Sequence, residues 1–179
     1  MKTQAQTMKR MGRIFSLLCV AALMLTTTSC GNSGGGKQSD KNYAIGSDVE
    51  IGHFSYNVEA FGFAETVGES YFSQEADGIF LLVGLTLKNI SKEDRTMNGS
   101  SFYVTDENGV KYEYSISGST ALEMSGSDVP TLFMKDCKPN IPIEAILIFE
   151  VPKEAVYYLH VPGDIFGKKY AKVTLQETE

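Results

Sequence analysis

The run Ile79-Phe80-Leu81-Leu82-Val83-Gly84-Leu85-Thr86-Leu87-Lys88 settles the architecture of this chain. Ile79, Leu81, Val83, Leu85 and Leu87 form one wholly apolar set. The set between them, Phe80, Leu82, Gly84, Thr86 and Lys88, turns polar toward its end. A period of two marks a strand, because successive β-carbons point to opposite faces. The pattern predicts a central strand buried along one face and covered on both faces at one end. Asn89-Ile90-Ser91-Lys92-Glu93-Asp94 then breaks it with turn residues and charge.

The same period recurs on both sides. Upstream, Phe54, Tyr56 and Val58 alternate; Val49 and Ile51 precede them out of phase, and a bulge near Gly52 would reconcile the two. Downstream, Phe102 and Val104 begin a strand, and Val110, Tyr112, Tyr114 and Ile116 resume the alternation after Asp106-Glu107-Asn108-Gly109. A two-residue Asn108-Gly109 turn would set Val104 opposite Glu113. A three-residue loop, Glu107-Asn108-Gly109 with Gly109 left-handed, sets Val104 opposite Tyr112 and Phe102 opposite Tyr114. Apolar then meets apolar, so the longer loop is expected. Ala145, Leu147, Phe149 and Val151 make a late strand that Pro152 ends, having no N–H for the ladder. Tyr157, Leu159 and Val161 make another, closed by Pro162-Gly163-Asp164. Tyr170 to Gln176 makes the last. No amphipathic helix is expected after residue 43. Ser117 to Ile141 is the least regular segment and the first place to look for a partner surface. Residues 43–179 thus read as one all-β domain, a sandwich or barrel of about seven to nine antiparallel strands.

The N-terminus reads differently. Lys9, Arg10 and Arg13 precede an apolar run, Ile14 to Leu25, interrupted by Ser16. That run is too short for a bilayer core of about 30 Å but suits the h-region of a signal peptide. Thr28-Ser29-Cys30 resembles the end of a bacterial lipobox, although Thr27 stands where a Leu is usual. The resemblance implies a signal peptide over 1–29 and lipidation of Cys30, with two or three acyl chains sufficient for stable anchoring. Residues 31–42, Gly-Asn-Ser-Gly-Gly-Gly-Lys-Gln-Ser-Asp-Lys-Asn, contain no apolar side chain and read as a disordered, flexible tether. Such a tether spans about 17–21 Å root-mean-square.

Charge and cysteines narrow the function. The chain has 16 basic and 22 acidic residues. Lys2, Lys9, Arg10 and Arg13 precede Cys30, and no acid does, so the exported part carries a net charge of about −10. A surface of that sign repels phosphate backbones, which argues against nucleic acid as a partner. Of Cys19, Cys30 and Cys137, the first lies in the apolar run and the second is the lipidation site. Cys137 is left alone, without a disulfide partner.

Gly78 to Asn89, Phe102 to Tyr112 and Ile146 to Pro152, in this order behind a lipobox, resemble the telokin-like, immunoglobulin-like domain of bacterial lipoproteins and secreted antigens. The match is similar to the mycobacterial immunoprotective extracellular protein and covers about residues 51–176. The resemblance implies an immunoglobulin-like β-sandwich and no catalytic activity. Where the family often has a Pro-Gly turn, this chain has Pro139-Asn140-Ile141-Pro142. The Trp and the cysteine pair of true immunoglobulin domains are missing.

No residue pattern here carries catalysis, a cofactor or a metal. His53 and His160 are far apart in sequence and belong to no ligand motif. Lys135 and Lys138 would lower the Cys137 thiol pKa slightly, but no His accompanies it. Asp106-Glu107-Asn108-Gly109 lacks the spacing of a calcium loop and reads as a solvated hairpin tip. Tyr71-Phe72, Tyr103, Tyr114 and Tyr157-Tyr158 include positions that alternate out of the core, as in surfaces that recognise proteins or glycans. The leading expectation is a non-enzymatic module, anchored to the membrane of a bacterial cell envelope and binding a protein or glycan. A metal or small-ligand carrier would instead bring His53 and His160 together. A hydrolase would show a deep pocket with two carboxylates.

Overall fold

The structure is a computed structural model that describes residues 42–126, 128, 130–153 and 156–176. The signal peptide, Cys30 and nearly all of the tether lie outside the described residues. The described elements are β1 (Asn42–Tyr43), β2 (Asp48–Ile51), β3 (Phe54–Val67), β4 (Gln74–Asn89), β5 (Arg95–Met97), β6 (Tyr103–Thr105), β7 (Lys111–Glu113), α1 (Ile116–Met124), β8 (Lys135–Cys137), β9 (Pro142–Val151), β10 (Tyr157–Pro162) and β11 (Tyr170–Leu175).

Two sheets make a β-sandwich, as the alternation predicts. One has the order β1-β11-β10-β6-β7, the other β2-β3-β4-β9, and β5 and β8 form a separate ribbon. The eleven described strands exceed the expected seven to nine because β1, β5 and β8 have only two or three residues each. One pairing is parallel, β1 with β11, where Asn42 meets Lys172 and Tyr43 meets Val173. The first described strand thus includes Asn42, a residue the composition assigns to the tether.

The core lies between the sheets. Ile79, Leu81, Val83, Leu85 and Leu87 of β4 all point into it, with Leu147 and Phe149 of β9 beside them and Leu159, Val161 and Val173 facing them. Burying each such side chain stabilises the fold by roughly 1.5–3 kcal/mol. Tyr56 crosses the layer, and its hydroxyl donates a 2.7 Å hydrogen bond to the Pro162 carbonyl at the end of β10. Burial raises its pKa well above the usual phenol value, so the proton needed for that bond is retained.

Three expectations need correction. Val49 and Ile51 are brought into phase by a hairpin rather than a bulge. Ile51 pairs with Phe54 across a two-residue Gly52-His53 turn, and Gly52 takes φ +58°. Tyr114 and Ile116 do not continue β7; Tyr114 bridges to Phe149, and Ile116 opens a helix. That helix, α1, is the largest departure. It carries no apolar stripe and buries Gly118, Ser119, Ala121 and Leu122, mostly small residues. Gly118 brings its backbone close to Ile148 and Phe80; a β-carbon there would stand 3.1 Å from each side chain. Ser115 caps the helix by accepting from the Gly118 N–H at 3.2 Å. Phe80, Ile148, Val67, Ala121 and Leu122 form a second cluster on the outer face of β4 and β9. This is the cover that the apolar Phe80-Leu82 half of β4 demands.

The β6–β7 loop follows the expected register. Val104 pairs with Tyr112, and Gly109 has φ +80°. The Asp106 carboxylate accepts the N–H groups of Asn108 and Val110, both at 2.9 Å, so the tip is closed by its own side chain. In the Pro139-Asn140 segment, Asn140 takes φ +60°, a left-handed conformation that Asn tolerates better than most residues, and its N–H bonds the Asn89 carbonyl at 2.8 Å.

Candidate functional site

Helix α1 packs on the four-stranded sheet. The five-stranded sheet presents an outer face of aromatic and basic side chains. In β11, Ala171, Val173 and Leu175 are buried, so Tyr170, Lys172 and Thr174 point outward. In β10, Tyr157, Leu159 and Val161 are buried, so Tyr158 and His160 point outward. The pairing aligns them: His160 lies opposite Tyr103 on one side and Lys172 on the other.

The result is an ordered array. Tyr103 and His160 stack with centroids 4.3 Å apart and planes 10° from parallel. Tyr170 meets Tyr103 edge-on at 4.9 Å. Thr105 Oγ1 and His160 Nε2 are 3.1 Å apart, which fixes the imidazole plane. Lys111 Nζ stands 4.7 Å over the Tyr103 ring and Lys172 Nζ 4.6 Å over the Tyr158 ring. Such cation–π contacts are worth about 0.5–1 kcal/mol at exposed sites. Burial pushes the His160 pKa down to about 4, helped by Lys172 and Lys111. The imidazole is therefore neutral near pH 7, and the positive charge of this face comes from Lys172 and from Lys111, whose ammonium is paired with the Glu113 carboxylate at 3.1 Å.

That shift has a measurable consequence. The folded pKa of about 4 lies below the unfolded value of 6.5, so the native state resists protonation. The stability of His160 in its neutral stack is complete above pH 6.5 and is lost as pH falls toward 4. Comparing urea unfolding at pH 7 and pH 4.5, His160→Phe should lose roughly 1–2 kcal/mol less than the parent chain. This range is below what the full shift would give, because the ring is partly exposed and screened. Equal losses in both proteins would contradict the assignment.

A second feature lies at one end of the sandwich, an open cleft of about 460 Å³ lined by His53, Asp94, Arg95, Met134, Asp164 and Phe166. The β2–β3 turn, β5 and the β10–β11 loop form its walls. Met134 holds an uncommon φ of +43°, and Phe166 is 81% exposed. The Asp164 carboxylate accepts the Phe166 N–H at 2.8 Å and so shapes the loop. Two acids and a guanidinium give the cleft both signs of charge.

The sequence candidates do not converge. His53 lines the end cleft, His160 lies in the stacked array and Cys137 is buried in the core. No group of three His, Cys, Asp or Glu positioned to hold a metal occurs among the described residues. The Cys137 thiol runs against the sequence expectation. Burial and the neighbouring Asp136 raise its pKa to about 11, outweighing a backbone hydrogen bond from Met97. Tyr114 and Tyr157 are core residues, Tyr103 and Tyr158 face outward, and Tyr71 is fully exposed. The sequence reading omits Tyr170, Lys172 and the stacking of His160. The outward phase of Tyr170 and Lys172 was available from the alternation of Ala171, Val173 and Leu175.

Comparison with known proteins bears on the family and the fold. A family model described as a domain of unknown function, DUF4352, matches residues 43–173. The uncharacterized protein YxkC of Bacillus subtilis (strain 168) is 27% identical over 121 residues, 66% of this chain and 67% of its own length. A candidate lipoprotein of Bacillus subtilis, ycdA, superposes with TM-score 0.52 at 16% identity, over 72% of this chain and 38% of its own. The secreted protein MPT63 of Mycobacterium tuberculosis superposes with TM-score 0.51 at 12% identity, over 78% of this chain and all (100%) of its own. At these identities the two structures speak for the β-sandwich alone. The family model runs from β1 into β11, and the chain belongs to the DUF4352 family, domains of unknown function.

Proposed function

We infer that this protein is a non-enzymatic interaction module of the bacterial cell envelope, tethered through Cys30 and binding a protein or glycan by the outer face of its five-stranded sheet. The observation that carries the reading is the Tyr103–His160–Tyr170 array flanked by Lys111 and Lys172. Rigid rings lose little entropy on binding and offer flat apolar area with polar edges, which suits both sugar rings and peptide surfaces. Lys172 adds positive charge to a face of an otherwise acidic domain, beside the Lys111–Glu113 pair, and would orient an approaching partner. An extracytoplasmic site is supported by the leader before Cys30 and by the secreted and candidate lipoprotein standing of two fold neighbours.

Two measurements test this. Radiolabelled palmitate should enter the parent chain and not Cys30→Ser; labelling of both, or of neither, removes the anchor. Crosslinking in intact envelopes, with glycan arrays in parallel, should give a ligand whose recovery falls about tenfold or more in Tyr103→Ala/Tyr170→Ala. A ligand retained in full by that double variant would move the site elsewhere.

A further inference from the structure

Tyr114 follows β7 and bridges to Phe149 of β9. Its ring stands edge-on to Phe149 with centroids 6.3 Å apart, and Gly99 packs so closely that a β-carbon there would lie 2.5 Å from two ring atoms. The ring is clamped, so its hydroxyl cannot swing to another place. Tyr114 is 7% exposed, and its buried hydroxyl makes no hydrogen bond within 3.5 Å, although the Ser119 and Thr131 side chains lie close enough to offset part of the rise that burial gives its pKa. A buried polar atom left in this state calls for an explanation.

Tyr114 lines a notch of about 120 Å³ beside α1, together with Ile116, Ser119, Glu123, Thr131 and Phe133. This is room for a few water-sized groups. The Tyr114 proton can turn to the neighbouring Ser119 or Thr131 oxygen, and the other protons in the notch are committed. Ser119 Oγ donates to the Ser115 carbonyl at 2.7 Å, and Thr131 Oγ1 donates to Glu123 Oε1. Ser119 and Thr131 therefore offer lone pairs to the notch, and the Glu123 carboxylate adds more. A group that completes such a site must bring donors, and an anion would meet Glu123. An ammonium brings three N–H donors and no acceptor. The rim is apolar: Ile116 is 61% and Phe133 59% exposed, suited to the methylene stem behind a charged head.

We propose that this notch binds a primary alkylammonium group, the side chain of a lysine presented by a partner polypeptide, with Tyr114, Glu123 and Thr131 as its contacts. The site is separate from the aromatic face and does not depend on it. The net negative charge of the chain favours such a partner at long range.

The test is a ¹H–¹⁵N titration of the full chain in detergent micelles with the peptide acetyl-Ala-Lys-Ala-amide, against its norleucine counterpart. The lysine peptide should give saturable shifts at Ser119, Glu123 and Thr131, and the norleucine peptide should bind at least about tenfold more weakly. Glu123→Gln and Tyr114→Phe should each weaken the lysine peptide by about tenfold. Thr131→Val serves as the second variant should Tyr114→Phe disturb the fold. Tyr103→Ala should leave this binding unchanged, which separates the site from the aromatic face. Equal response to the two peptides, no response up to about 50 mM lysine peptide (a Kd weaker than any useful contact), or full retention in Glu123→Gln overturns the proposal.

Discussion

Gly52→Ala should lower the unfolding free energy by about 3–5 kcal/mol, several times the cost of Gly46→Ala. Both glycines hold a left-handed φ, +58° and +79°, where a β-carbon costs about 1–2 kcal/mol. Their surroundings differ. Nothing lies within 4 Å of a β-carbon on Gly46, whereas one on Gly52 would overlap the Gly163 carbonyl oxygen and stand 2.7 Å from its carbon. Those atoms are backbone and cannot rotate away. The β2–β3 turn and the β10–β11 loop would have to part, and the His53 N–H to Gly163 carbonyl bond of 3.0 Å would go with them. That bond links one sheet to the other, so the loss would be cooperative. Guanidinium unfolding of both variants measures the difference, and a Gly52→Ala cost equal to that of Gly46→Ala would show that the two loops do not approach this closely.

Asn89→Asp is expected to cost about 3–5 kcal/mol at pH 7, although it exchanges one nitrogen for oxygen. Asn89 is fully buried at the end of β4 and uses both ends of its amide. Its Nδ2 donates to the carbonyls of Glu93 at 2.8 Å and Cys137 at 2.7 Å. Its Oδ1 accepts from the Ser91 N–H at 2.9 Å and the Ser91 hydroxyl at 2.7 Å. One side chain thus ties the turn after β4 to β8, and no other residue type of this shape supplies two donors and an acceptor. An aspartate would aim a carboxylate at two carbonyl oxygens without water, which raises its folded pKa above the unfolded value of about 3.9. The deficit relative to the parent should therefore be smallest below pH 3.9 and grow as pH rises through the folded pKa. Urea unfolding of both proteins across pH 3.5 to 7 checks magnitude and sign together. A deficit independent of pH would mean that the carboxylate reaches water.

The β4 alternation carries most of the legible information. It specifies which face of the central strand meets the core, and its apolar outer half predicts a cover. The cover itself was not legible, because α1 docks through Gly118, Ser119 and Ala121 and has no 3.6-residue apolar period to find. Ser115, a capping residue at the right place, is the local trace it leaves. Asn89 looked like turn punctuation; its role as a hub depends on Cys137, far along the chain. The aromatic face divides in the same way. The outward phase of Tyr103 and Tyr158 follows from alternation. The stacking of Tyr103 on His160 follows from β6 pairing with β10, a long-range register that no local pattern encodes. The end cleft is still less legible, being assembled from loops at four separate positions in the chain.

The parallel meeting of Asn42–Tyr43 with β11 bears on how the domain responds to tension. A pull from the N-terminal side reaches this two-residue ladder before anything else in the sandwich. The next hold is the turn at Gly46, whose N–H bonds the Val58 carbonyl at 2.8 Å and whose carbonyl accepts from the Asn57 amide at 3.2 Å. Peeling β1 away would release the four residues from Asn42 to Ile45, up to about 13–14 Å of extra reach. The half-buried Tyr43 and Ile45 side chains, both packed against the core, work as a latch on that slack.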